Sequence, residues 1–165
     1  MNLKVPGILV VLLLILMAIQ AACFHPRMPE RLGTQFDREG NARTWMGRGA
    51  FLAVYAGMAV FLGAIALLVP LASNDPGTGR ERAAGSRPPL TGKRILVIKA
   101  AVMWAVAGII ALLLGAGHFT FRANLGESAP FRARMDLLLI GFGVYMAVWM
   151  VLFLRALGSG RSSQE

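Results

Sequence analysis

GAFLAVYAGMAVFLGAIALLVPLA, residues 49–72, runs for 24 residues without one charged side chain. At 1.5 Å per helical residue the stretch reaches roughly 36 Å, and a bilayer's hydrocarbon core is about 30 Å thick. It therefore reads as a membrane-crossing helix. Three further runs share its character. Val5–Cys23 has Gln20 as its one strongly polar residue, Ile95–Gly117 has Lys99 near its start, and Leu137–Leu157 is broken by Arg155 near its end. Lys99 and Arg155 stand where long cationic side chains snorkel to the headgroups, so neither calls for a functional explanation.

Composition agrees. The chain of 165 residues is 56% hydrophobic and only 15% charged, where soluble domains run near 45–50% apolar and 25% charged. Those values exclude a disordered chain and an ordinary soluble enzyme, and a single cysteine excludes a disulfide scaffold. A net charge of +9 would suggest nucleic acid in a soluble protein. Here the Lys and Arg residues lie almost wholly outside the apolar runs, so the expected partners are lipid headgroups, not nucleic acid.

The first run has features of a secretion signal, with Lys4 ahead of it and Ala21-Ala22-Cys23 near its end. Gln20 stands where a lipoprotein cleavage site needs an aliphatic residue. The expectation is an uncleaved helix, with Cys23 a plain interfacial thiol.

Four spans place both termini on one side of the membrane. On that side lie Lys4, Arg80, Arg82, Arg87, Lys93, Arg94, Lys99, Arg155 and Arg161, nine in all. On the other lie Arg27, Arg31, Arg38, Arg43, Arg48, Arg122, Arg132 and Arg134, eight in all. By the positive-inside rule the small excess puts both termini in the cytoplasm. Residues 24–48 and 118–136 become outer loops, 73–94 a Gly/Pro/Arg-containing cytoplasmic linker, and 158–165 a polar tail. The expected fold is all-α: a single membrane domain forming a four-helix transmembrane bundle with a short structured outer loop.

Helices in lipid associate through close backbone approach, so small residues mark interfaces. Span two carries Gly49, Ala53, Ala56, Gly57, Val60, Gly63 and Ala64 at helical spacing; span three carries Ala101, Ala105, Gly108, Ala111 and Gly115. These faces are expected to pack against each other or against span four, where Gly141 and Gly143 offer a close-contact point. Span one, bulky throughout, is expected at the bundle edge.

The chemistry-bearing residues are sparse. His25 and His118 each end an odd-numbered span, and with no short-range ligand pair they read as interfacial imidazoles, so no metal or cofactor is expected. Serines lie in loops and tail, no aspartate lies mid-span, and no phosphate-cradling loop is present. The expectation is a protein without catalytic activity. The informative segment is the first outer loop. Asp37–Asn41 has turn chemistry around Gly40, so Thr34–Phe36 and Ala42–Trp45 can pair as a hairpin, with Trp45 at headgroup level.

The order Pro29, Leu32, Gln35-Phe36-Asp37, Gly40, Trp45 and Arg48 resembles the outer loop of SdpI-type bacterial membrane proteins over about 21 residues. Flanking spans one and two fit in position, and Phe121-Arg122-Ala123-Asn124 resembles a second feature of the family's short members. Gln35 replaces the family's histidine, Met28 its leading leucine, and four spans are fewer than the founding immunity protein has. The resemblance implies a bacterial inner-membrane protein that binds a peptide or protein partner through Gln35, Phe36, Asp37, Gly40, Trp45 and Arg48, with Arg122 and Asn124 alongside. The competing expectation is an accessory subunit of a larger membrane complex, such as an energy-transducing one. Small size, small-residue faces and the lack of visible chemistry support it.

Overall fold

The computed structural model describes residues 3–37, 41–71, 92–126 and 131–158. Four helices are long and apolar enough to cross a membrane: α1 (Lys4–Phe24), α2 (Arg48–Leu71), α3 (Gly92–Asn124) and α4 (Phe131–Gly158). A 3-10 turn, His25–Arg27, closes α1 and leads into a two-stranded antiparallel hairpin of β1 (Arg31–Phe36) and β2 (Ala42–Gly47). The expected linker falls on residues outside the described ones, except 92–94, which open α3. Most of the expected tail lies outside them too.

The helices outrun the hydropathy pattern. The apolar part of span three is 95–117, but α3 continues through His118, Thr120 and Arg122 to Asn124. A helix satisfies its own backbone, so it crosses the interface without an apolar sequence to mark it. α3 ends where Gly126 adopts φ +90° and returns its N–H to the Ala123 carbonyl at 3.2 Å. Most of the expected second outer loop is therefore helix.

The packing corrects two expectations. α3 is central and touches every other helix, α1, α2 and α3 touch one another, and α4 packs extensively on α3 alone. Span one is thus not the edge; α4 is. Bulk does not keep α1 outside, because its large side chains pack among those of α3 and α2. Buried Met103, Val106, Ala107 and Ile110 join Val10 and Met17 of α1 and Leu62 and Ala66 of α2 in one cluster.

The second correction concerns the small-residue face of α2. Gly49, Ala53, Ala56, Gly57, Val60 and Ala64 are exposed, and a Cβ at Gly49 or Gly57 would meet nothing within 4 Å. The buried positions of α2 are Tyr55, Leu62 and Ala66, on a different face. Of the three glycines in this stripe, Gly63 alone lies against a neighbour, with Leu14 of α1 at 3.4 Å from its would-be Cβ. On α3 the small residues sit at the α4 contact. A Cβ at Gly108 would strike the Tyr145 ring, and one at Gly115 would lie 2.9 Å from Leu138. Ala101 is buried, its carbonyl accepting the Trp149 indole N–H at 3.1 Å, and Ala105 is half-buried. Tyr145 donates its hydroxyl to the Trp104 carbonyl at 2.6 Å. Gly141 and Gly143 make no close contact, since a Cβ on either meets nothing within 4 Å.

Lys99 does not snorkel. It is 8% exposed, and its Nζ donates to the Pro70 carbonyl at 3.3 Å. The last carbonyls of a helix lack intrahelical partners, and a cation at that end also complements the helix dipole. Lys99 thereby ties the C-terminal end of α2 to α3.

Candidate functional site at the hairpin end

The hairpin caps the end of the bundle formed by the C-termini of α1 and α3 and the N-terminus of α2. Below it lies an aromatic cluster. Phe24 stacks on Phe121 at 5.1 Å, and Phe51 and Tyr55 meet Phe121 edge-on at 5.6 and 5.7 Å. His118, inside α3, packs edge-on against Phe24 at 5.7 Å. Leu32 of β1 and Met28 are driven into this end and are fully buried. Strand alternation turns the neighbouring Arg31 side chain away from the bundle, where it is exposed.

Polar contacts fix the platform. Asn124 of α3 pairs its side-chain amide with both backbone groups of Gly33. The Gly33 N–H donates to Oδ1 at 2.6 Å, and Nδ2 donates to the Gly33 carbonyl at 3.0 Å and to the Thr120 carbonyl at 2.8 Å. An amide presents one donor side and one acceptor side, so it can mimic a neighbouring strand and cover a sheet edge that would otherwise stay unpaired. Gly33 is required there because a Cβ would collide with Ala42 and the Phe36 ring. Arg48 donates from Nη1 to the Met28 carbonyl at 3.2 Å, and its backbone N–H donates to the Glu30 carbonyl at 2.8 Å.

The register pairs Leu32 with Met46, Gly33 with Trp45 and Phe36 with Ala42, with irregularities between Gly33 and Phe36. Thr34 and Thr44 share a hydroxyl hydrogen bond of 2.9 Å across the strands. Asp37 closes the turn: its N–H donates to the Asn41 carbonyl at 2.9 Å, and its Oδ1 accepts the Asn41 N–H at 2.8 Å.

The residues singled out from sequence thus divide. Asn124, Arg48 and Asp37 build the platform. Phe36 is half-buried over Gly33, and Arg122 is half-buried in the last turn of α3. Gln35 and Trp45 are exposed, Trp45 at 61%, with Arg31, Arg43 and Thr44 also exposed on the strands. Gly40 lies outside the described residues.

A second polar chain binds the three mutually packed helices. Tyr55 of α2 donates to Gln20 Oε1 of α1 at 2.6 Å, and Gln20 Nε2 donates to the Leu114 carbonyl of α3 at 3.2 Å. Gly117 makes room, since a Cβ there would lie 2.9 Å from the Tyr55 ring. In the sequence Gln20 stands out as a polar break, but nothing beside it marks its partner. The signal was the pair of hydrogen-bonding side chains, Gln20 and Tyr55, each alone in an apolar run. Among the described residues, no group of three or more His, Cys, Asp or Glu side chains could hold a metal ion.

Taken together, four helices of spanning length and apolarity fit a multi-pass membrane protein, one that carries a small clamped sheet at one end. No known family model, no curated protein and no solved structure matches the chain.

Proposed function

We propose that this is a non-enzymatic, multi-pass protein of a bacterial inner membrane that binds a peptide or protein partner on its hairpin, in the manner of an SdpI-like immunity protein. One observation carries the reading. The hairpin is clamped by Asn124 on Gly33 and by Arg48 on Met28, while Trp45 stays 61% exposed on it. Tryptophan and arginine dominate the energetics of protein interfaces, and a pre-ordered platform lowers the entropy cost of binding. Arg31 and Arg43 nearby favour a partner with acidic groups. The excess of nine cationic side chains over eight on the side of the termini supports cytoplasmic termini and an outer hairpin.

A second reading, the accessory subunit, draws on a different observation. α4 packs extensively on α3 alone, and its most apolar window has no buried residue.

Gentle-detergent purification of the tagged chain from its native membranes, followed by native mass spectrometry, tests the proposal. The expected result is a sub-stoichiometric peptide or protein that Trp45→Ala depletes by about tenfold, the cost of losing one anchoring residue. Insertion of the variant should be unchanged. Equal capture by the variant would overturn the assignment of the hairpin. A fixed set of subunits retained by both forms would replace it with the accessory reading.

A further inference from the structure

On the side where α4 hangs from α3, an apolar groove of about 560 Å³ separates α4 from α1. Its walls include Leu9 and Leu13 of α1, Ala107 of α3, and Leu138 and Phe142 of α4. Arg134, in the first turns of α4, is the one charged residue lining it, and it is half-buried. Its side chain has no hydrogen-bond or ion-pair partner among the described residues.

Three physical points narrow the occupant. The first is charge: a half-buried guanidinium without an ion-pair partner among the described residues favours an anion, and its planar fork suits a phosphate diester. Arg134 also stands one turn before the apolar run of α4 begins at Leu137, the depth of lipid headgroups. The second is length. On α4 the groove extends from Arg134 to Tyr145, which at 1.5 Å per residue is roughly 16 Å. That is about half of the hydrocarbon core, the depth of a single leaflet, and too short to seat a crossing helix. The third is surroundings. A groove open to the bilayer is filled by what surrounds it, and its near-wholly apolar lining suits hydrocarbon.

We propose that this groove holds one acyl chain of an anionic phospholipid from the leaflet at the hairpin end, with the lipid phosphate on Arg134. The site is separate from the hairpin surface, and Trp45→Ala should leave it intact.

The test is native mass spectrometry of the full chain in mild detergent, with equimolar phosphatidylglycerol and phosphatidylethanolamine of identical chains. The wild type is expected to retain one lipid, with phosphatidylglycerol preferred about fivefold. Arg134→Gln should bring the two lipids to parity. Gly141→Leu should lower retention of both, because Gly141 lines the groove and a Cβ there meets nothing within 4 Å. This variant probes the chain site with Arg134 in place, so the proposal does not depend on Arg134→Gln folding. Arg155→Gln, near the other end of α4, should keep the wild-type preference. Equal retention of both lipids by the wild type would overturn the proposal. So would a preference that survives Arg134→Gln, or one that Arg155→Gln erases equally.

Discussion

α2 and α3 each carry a stripe of small residues, and they use it in opposite ways. On α3, Ala101, Gly108 and Gly115 recur every seven residues, and each meets a large side chain of α4: Trp149, Tyr145 and Leu138. The two series run in opposite directions along the chain, as antiparallel helices require. On α2, Gly49, Ala53 and Gly57 recur every four residues, and all three are exposed. α2 is held instead through Tyr55, Leu62 and Ala66 and through the Tyr55–Gln20 hydrogen bond. A small-residue stripe is a socket, and it becomes an interface only where a neighbour presents matching bulk. In α3–α4 the aromatic rings that fill the socket also donate to carbonyls of the same helix, so size and hydrogen bonding reinforce each other.

The harshest way to break this contrast is Gly108→Leu. The new side chain must occupy the space of the Tyr145 ring, so Tyr145 leaves and its bond to the Trp104 carbonyl goes with it. Overpacking of this kind costs about 1–3 kcal/mol, and the lost hydrogen bond adds about 1. We expect α4 to detach from an otherwise intact α1–α2–α3 core. Detergent-induced unfolding followed by tryptophan fluorescence should show Trp149 losing its environment before the core melts. A single cooperative transition at the wild-type midpoint would contradict the socket account.

Asn124→Ala comes next and tests a socket of another kind, in which an amide covers a strand edge. Removing it leaves the Gly33 N–H and carbonyl without their partner beneath the hairpin, at a cost of about 1–3 kcal/mol. The loss should be local. Hydrogen exchange at Gly33 and its strand neighbours should speed up by tenfold or more, while amides in the middle of α3 keep their protection. Unchanged exchange at Gly33 would show that Leu32 and Met28 hold the hairpin without the clamp.

What the sequence reveals of this molecule follows from how far each signal reaches. Apolar length is a property of single segments, and all four helices were legible from it. Their ends were not. Arg122 and Asn124 are polar yet helical, because the backbone satisfies itself wherever the chain can stay wound. The hairpin was legible from turn chemistry around Asp37 and Asn41, though it runs three residues earlier in β1 and two later in β2 than expected. Helix order was illegible, because which face of α2 turns inward depends on Gln20 and Leu114, far away in the chain. Lys99 misled for the same reason. Its place near a helix end suggests snorkelling, and nothing local reveals that the Pro70 carbonyl waits there. At the hairpin end, sequence could gather Arg48, Asp37, Trp45 and Asn124 into one neighbourhood. It could not sort those that build from the one that presents, since that division rests on which backbone groups are left to satisfy.

The smallest expected effect is the sharpest control on the comparison. Gly57→Leu lies in the exposed stripe of α2, where a Cβ meets nothing within 4 Å. In lipid the new side chain exchanges one apolar environment for another, and the helix gains a residue of better propensity than glycine, worth up to about 1 kcal/mol. The midpoint of detergent unfolding should therefore stay put or rise slightly, whereas Gly108→Leu lowers it. Measured in bilayers rather than detergent, the same substitution reads the outer face of α2 directly. A destabilisation above about 1 kcal/mol there would mean that a neighbour presents its bulk to Gly49, Ala53 and Gly57 in the membrane. The two stripes would then differ only in whether the socket is filled from within the chain or from outside it.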